Sequence, residues 1–348
     1  MGSQVVLVGS YPPPYGGCSV HVQRLQRALQ HEFRVEVIDL YGTPQAADDG
    51  SVLRYGVRPV GMLRALAALR RSDASIVHFH VSAMDAFLWA VYPLLSSLNS
   101  KARRIVTVHG GSFVRSFESG PAWRRAALRS ILGRFDLIVT VNHEQRRFIE
   151  GLGVDARRVK VVPAFLPPVA TESPRVSEVL ASLQGCRPIV VSSGRGERYY
   201  GFHLILDALE LDRSADRPGL ILCVYDSYDE KYMAELAARR KIRCTIVRDL
   251  DPGEFAWILE RSDAYVRASD RDGDAVAIRE AAFFGKAVIA SDCVERPVGT
   301  VLFRTGDAGA LAVALQSLSQ HAGPPAAHDS GRAGLEALLE AYREVLRA

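Results

Sequence analysis

The sequence predicts an α/β protein built from two doubly wound parallel-sheet domains. Three observations lead there. Short apolar, β-rich runs alternate with helical patterns along nearly the whole chain, the arrangement of a parallel sheet with helices on both faces. The 348 residues exceed the usual size of one domain. A proline-rich polar stretch at 167–175 (PPVATESPR) reads as a linker between two alternating halves. The expected division is a first domain over 1–168, a second over 169–334 and a last helix over 335–348.

Residues 4–9 (QVVLVG) read as a buried parallel strand. The stiff loop Tyr11-Pro-Pro-Pro-Tyr15-Gly16-Gly17 follows, and an amphipathic helix runs over 19–29. A strand, a glycine turn and a helix start together face an anion, because unpaired N–H groups and the positive dipole end favour phosphate. Gly16 and Gly17 let backbone approach a ligand closely; a merely rigid turn is the other reading of this loop. Further strands are expected at 34–40, 75–80 (SIVHFH), 105–108, 137–141 and 159–162. Ligands of doubly wound sheets bind beyond the carboxyl ends of strands, which is where His80, His109, Gly110 and Asn142 fall. Two basic amphipathic helices, 62–71 and 123–134, are of a kind that lies on an anionic membrane or packs with a solvated charged face.

The second half opens with a strand at 188–193, a loop containing Gly194, Arg195, Gly196 and Gly201, and a helix at 203–209. The glycine spacing is wrong for a nicotinamide fingerprint. Strands at 220–225 and 244–247 and a helix at 252–260 lead to the block 262–291, SDAYVRASDRDGDAVAIREAAFFGKAVIAS. It reads strand–loop–helix–strand, with Gly285 placed to stop the helix. Its loop delivers Gly273, Asp274 and Ala275 to the helix N-terminus, and Asp272 and Glu280 bracket that anion seat. If all is helical the two acids stand about 12 Å apart, a span that suits a nucleoside-diphosphate sugar. A capped helix with a solvated Glu280 is the alternative for this block taken alone. The final helix follows a Gly/Pro/Ala-rich segment at 321–327.

Composition excludes several classes. Hydrophobic content of 48% and charged content of 24% are ordinary for a soluble globular protein. No apolar run reaches membrane-span length; the most apolar, 86–98, is short and contains Pro93. No secretory signal is expected, because the chain enters a strand directly. Cys18, Cys186, Cys223, Cys244 and Cys293 lack metal-ligand spacing and read as reduced residues of a cytoplasmic protein. The net charge of +4 is unevenly divided: residues 1–168 hold about half of the basic residues but under a third of the acidic ones. A basic first half favours an anionic partner, acceptor or surface.

The acidic–x7–Glu spacing of Asp272 and Glu280, the text VTVHGG around His109, the Gly16-Gly17 turn and the Gly-Arg loop at Arg195 resemble the retaining glycosyltransferases of family 4. The resemblance covers nearly the whole chain. It implies the GT-B fold, two Rossmann-like domains facing a central cleft, with the acceptor on the first, the nucleotide sugar on the second, and the last helix crossing back to the first. It implies transfer of a hexose from a nucleoside-diphosphate sugar to a glycan, lipid-linked or other acceptor in polysaccharide or glycoconjugate biosynthesis. No metal or cofactor and no nucleic acid is implied. The expected place, from the cysteines and the two basic helices, is the cytoplasm, with the inner face of the membrane as an alternative. By this resemblance His109 and Asp272 are catalytic, and Gly16, Gly17, Arg195, Asp272, Gly273, Asp274, Ala275 and Glu280 bind the donor. Tyr15, His80, Gly110 and Asn142 line the acceptor side or the crevice.

Three places depart from the family text, one of them Ala164-Phe165-Leu166 after Pro163, where Asn-Gly-Val is usual. Asp272 replaces a glutamate, and Tyr200 a lysine, with Arg198 as the nearest substitute for the missing charge. These departures leave an inactive, degenerate member open. A nucleotide-sugar epimerase of the same fold and a non-enzymatic basic binding module are the other readings; the last does not account for Asp272 and Glu280.

Overall fold

The computed structural model describes residues 3–42, 50–56, 58–82, 91, 94, 101–211, 218–239, 242–317 and 331–347. The apolar run at 86–98, apart from Val91 and Leu94, and the segment at 321–327 lie outside them. The chain divides into two compact units, Met1–Leu166 with Arg332–Ala348, and Pro167–Gly331.

Among the described residues the first unit holds seven parallel strands, β1 Gln4–Gly9, β2 Arg34–Asp39, β3 Val52–Arg54, β4 Ile76–Val81, β5 Arg103–Val108, β6 Leu137–Thr140 and β7 Val159–Val161. Their order is β3-β2-β1-β4-β5-β6-β7, so the direction of winding reverses between β1 and β4. Both faces of the sheet are buried, which is why the strands read as continuous apolar runs. Alternate residues feed separate cores. Val6, Val8, Val77, Phe79, Val106 and Val108 enter one; Val5, Leu7, Ile76 and Ile105 enter the other. The second core is closed by Val22, Leu25 and Leu29 of the helix Gly17–Leu29 and by Leu338, Ala341 and Tyr342 of the helix Arg332–Arg347. The edge strand β3 escapes sequence reading because three residues cannot show a period.

Among its described residues the second unit has six parallel strands, β8 Ile189–Gly196, β9 Gly219–Tyr228, β10 Arg243–Arg248, β11 Ala264–Arg267, β12 Ala287–Ser291 and β13 Val301–Phe303. The order β10-β9-β8-β11-β12-β13 reverses between β8 and β11. Helix signals are explicit here. Asp251 and Glu254 form a capping box ahead of Pro252–Arg261, and Gly285, at φ 68°, follows the helix Val276–Phe283. The stretch 167–175, expected to be a linker, ends inside a helix: Ser173 caps Pro174–Ser182 and Pro174 takes its first turn. No described helix is long and apolar enough to cross a membrane.

Candidate functional site

In the second unit, the Gly-Arg loop and the block 262–291 meet where winding reverses, since β8 and β11 pair there. Arg195 is exposed at the end of β8, beside a bulge. Gly194 has no room for a side chain, because a Cβ would stand 2.2 Å from the ring of Tyr200. Gly201 has φ +74° and its Cβ would stand 2.1 Å from the carbonyl oxygen of Ala268, so only glycine fits. The Arg267 guanidinium lies 4.9 Å from the centre of the Tyr200 ring. The cation near Tyr200 therefore comes from β11. It does not come from Arg198, the expected substitute, which pairs with Glu235 at 2.6 Å.

Asp272 is a hub. Arg267 clamps it through Nε to Oδ2 at 2.9 Å and Nη2 to Oδ1 at 3.1 Å. Arg296 Nη1 donates to Oδ2 at 2.9 Å, Ser269 Oγ to Oδ2 at 3.3 Å, and the Gly273 amide to Oδ1 at 3.0 Å. Five donors thus share the roughly four lone-pair positions of one carboxylate. Burial alone would raise its pKa; Arg267 and Arg296 reverse the effect and hold it at about 2. With these five donors in place the Asp272 carboxylate is fully engaged within its own unit. Asp274 is likewise engaged, accepting from Arg279 Nε at 2.9 and 2.8 Å.

The helix that follows begins at Val276, so the separation of Asp272 from Glu280 is part loop and part helix rather than one helical span. Its N-cap, Ala275, makes no side-chain cap. Helices of the same unit at Asp229, Asp251 and Asp307 are all capped by a carboxylate. At the N-terminus beside Gly273, by contrast, a ligand oxygen meets no side-chain cap. Glu280 lies one turn in and is 4% exposed. Burial, with charges that include Glu280, pushes the Tyr225 hydroxyl well up.

In the first unit, the triproline loop is held from below. Arg54 donates to the carbonyls of Tyr11 at 3.1 Å and Pro12 at 2.7 Å, and pairs with Asp39 at 2.7 Å. The loop ends at Gly16, which makes no side-chain cap for the helix Gly17–Leu29. Gly16 and Gly17 are exposed and Tyr15 half-buried.

Four histidines gather on the face of the sheet covered by that helix. Register sets His78 opposite Ile105 and His80 opposite Thr107. His78 is used up, with Nδ1 2.6 Å from the Tyr342 hydroxyl and Nε2 2.7 Å from Thr107 Oγ1. His80 Nδ1 lies 3.0 Å from His109 Nε2. His21 packs against both, at ring-centre distances of 5.6 and 5.1 Å. Burial drives every one of them down, helped by Arg24 at His21 and by neighbouring histidines at the other three, His21 to about 4, His78 to about 3, and His80 and His109 well below the usual value. At neutral pH His109 is an uncharged hydrogen-bonding group and a weak base. His21 was missed by sequence reasoning, although a histidine in the apolar stripe of Val22, Leu25 and Leu29 was the available signal.

Two expected crevice residues serve the backbone instead. A Cβ on Gly110 would stand 2.1 Å from the Ser82 carbonyl oxygen, and the Gly110 carbonyl accepts from Gln145 Nε2 at 3.0 Å. Asn142 Oδ1 accepts from the Gln145 amide at 2.9 Å, capping the helix His143–Gly151.

Residues 15–168 match the family described as Glycosyltransferase Family 4, and residues 181–314 match Glycosyl transferases group 1. No curated protein matches the sequence. Among solved structures, Anabaena HepE in complex with UDP-glucose is 14% identical, with a TM-score of 0.73 over 99% of both chains. A glycosyltransferase from Rickettsia africae is 17% identical, at 0.68 over 99% of both chains. The sucrose-phosphate synthase of Thermosynechococcus elongatus is 17% identical, at 0.70 over 99% of this chain and 96% of its own. With the two parallel sheets, these likenesses identify a GT-B fold.

Proposed function

This chain belongs to the family 4 glycosyltransferases, and from that premise we propose that it moves a hexose from a nucleoside-diphosphate sugar to a glycan or lipid-linked acceptor, with retention and without a metal in the transfer step. The observation that carries the reading is the uncapped helix start at Ala275, set between the arginine-bound Asp272 and the buried Glu280. The positive end of that helix, with Arg195, supplies the positive potential that a departing diphosphate needs. HepE, of similar fold, has been seen with UDP-glucose.

In this reading Gly273, lacking a side chain, lets the diphosphate come close, Asp274 and Ala275 offer it backbone, Glu280 holds ribose hydroxyls, and Gly16 and Gly17 let backbone approach a phosphate. Asp272 acts by orienting Arg267 and Arg296. His109, uncharged, accepts or donates a hydrogen bond to the transferred sugar, while the departing phosphate takes the proton of the acceptor hydroxyl as it attacks from the same face. His80 fixes the ring of His109, and Tyr15 stands on the acceptor side. Exposed Val60, Leu63 and Trp123 beside exposed arginines of the helices Pro59–Arg71 and Ala122–Leu132 support contact with an anionic membrane carrying the acceptor.

A panel of nucleotide sugars tested for thermal stabilisation, then for hydrolysis and transfer, tests the reading. A donor at a hundred times its dissociation constant stabilises by about 2.7 kcal/mol. Glu280→Ala is expected to remove that shift; a full shift in the variant contradicts the ribose role.

A further inference from the structure

One group in the first unit has the form of a ligand set. His21 comes from the helix Gly17–Leu29, His80 from β4, and His109 from the residue after β5. Each can offer one ring nitrogen so that the three atoms lie within 4.8 Å of one another. The ring centres stand 5.6, 5.1 and 5.3 Å apart. Three imidazoles bound tetrahedrally to one zinc, at the usual zinc–nitrogen distance, place their ring centres about 5 Å apart. The triangle in the protein is of that size before any ion is considered.

Two further observations point the same way. Among the described residues, His21 Nδ1 is buried with no hydrogen-bond partner, and buried ring nitrogens are ordinarily satisfied. The His21 ring also bonds the backbone at Ala164, which is how a metal-bound histidine is commonly oriented through its second nitrogen. His78 adjoins His80 at 4.2 Å between ring centres, but both of its nitrogens are spent on Tyr342 and Thr107, so it backs the group without joining it.

We propose that His21, His80 and His109 form a three-histidine site for a divalent transition metal of the zinc class. An all-imidazole set with no carboxylate selects zinc, cobalt, nickel or copper over magnesium and calcium. His80 Nδ1 and His109 Nε2 share one proton in their hydrogen bond. The ion takes that place, and the proton moves to the other nitrogen of the same ring, so none is released. Metal held there withdraws His109 from any sugar. That exclusion rests on the function proposed above; the binding does not, and it is measured without a nucleotide sugar.

Metal-free protein is titrated with Zn²⁺ alone against a chromophoric chelator, and with Co²⁺ read by visible absorption. One zinc per chain and the intense bands of low-coordinate cobalt are expected. His109→Gln, at the least buried of the three positions, is expected to weaken zinc by more than the roughly 10–100-fold that loss of an outer partner costs. His21→Gln gives the same loss, with circular dichroism confirming the fold of both. The cobalt spectrum of the unaltered protein stands even if a variant does not fold. Weak octahedral cobalt bands, no stoichiometric zinc, or unchanged affinity in His109→Gln overturns the site.

Discussion

Replacing Asp272 by asparagine separates a structural hub from a sugar ligand. The substitution keeps the shape and removes the charge between two guanidiniums that cannot escape to water: the Arg296 side chain is 2% exposed and that of Arg267 11%. Removing one partner of a buried pair costs about 3–5 kcal/mol, since the remaining charge stays buried. Acid gives the same interaction a second signature. The Asp272 pKa is lowered from 3.8 to about 2. Its contribution is therefore complete above about pH 4 and lost as pH falls through 2, about 2 kcal/mol in all. Asparagine has no such titration. Urea unfolding at pH 7 should show Asp272→Asn less stable by about 3–5 kcal/mol, and the gap should narrow by about 2 kcal/mol toward pH 2. Adding Arg296→Met should cost less than the sum of the single changes, because the two sites share an interaction. A variant within about 1 kcal/mol of the parent at pH 7, with a gap indifferent to acid, would refute the hub and return Asp272 to the sugar.

Other expectations follow from the same kind of bookkeeping. The histidine group is lowered from 6.5, so its contribution is full above about pH 6.5 and is lost as pH falls through the folded values; His21 alone, at about 4, accounts for about 3 kcal/mol. His21→Gln should flatten the stability–pH curve between pH 6.5 and 4 in a urea titration. Arg54→Met leaves Asp39 buried and unpaired, at about 3–5 kcal/mol, and should speed amide exchange in the loop 11–17; adding Asp39→Asn should recover part of the loss. Gly201→Ala combines a left-handed backbone with overlap on the Ala268 carbonyl, and thermal melting should show a loss above the roughly 1–2 kcal/mol of the backbone cost alone.

Sequence pattern gave the parallel strands because both faces of each sheet are covered, which writes burial into consecutive residues. Gln4–Gly9 and Ile76–Val81 are legible for that reason. Val52–Arg54 and Val301–Phe303 are not: each is a three-residue edge without the run closed by proline that marks Val159–Val161, equally short and at an edge. The site was legible in its backbone and not in its charges. Gly201, Gly285 and the helix start at Ala275 follow from local conformation. The partners of Asp272 do not, since Arg296 lies beyond the following strand and reaches back. Arg54 shows the same thing, a basic residue of an unread strand that fixes the loop 11–17. His21 could have been found, being polar in a stripe that is otherwise apolar.

The helix Arg332–Arg347 completes the first unit although all of Pro167–Gly331 comes before it. Tyr342 touches His78 and Phe33, and Arg343 reaches Glu32. A ribosome making this chain finishes the early sheet long before the piece that seals one of its sides. Until then that side has its apolar residues unsealed, a hazard for sticking to other chains. A stop codon shortly before Arg332 would thus injure the part of the molecule made first and spare the part made later.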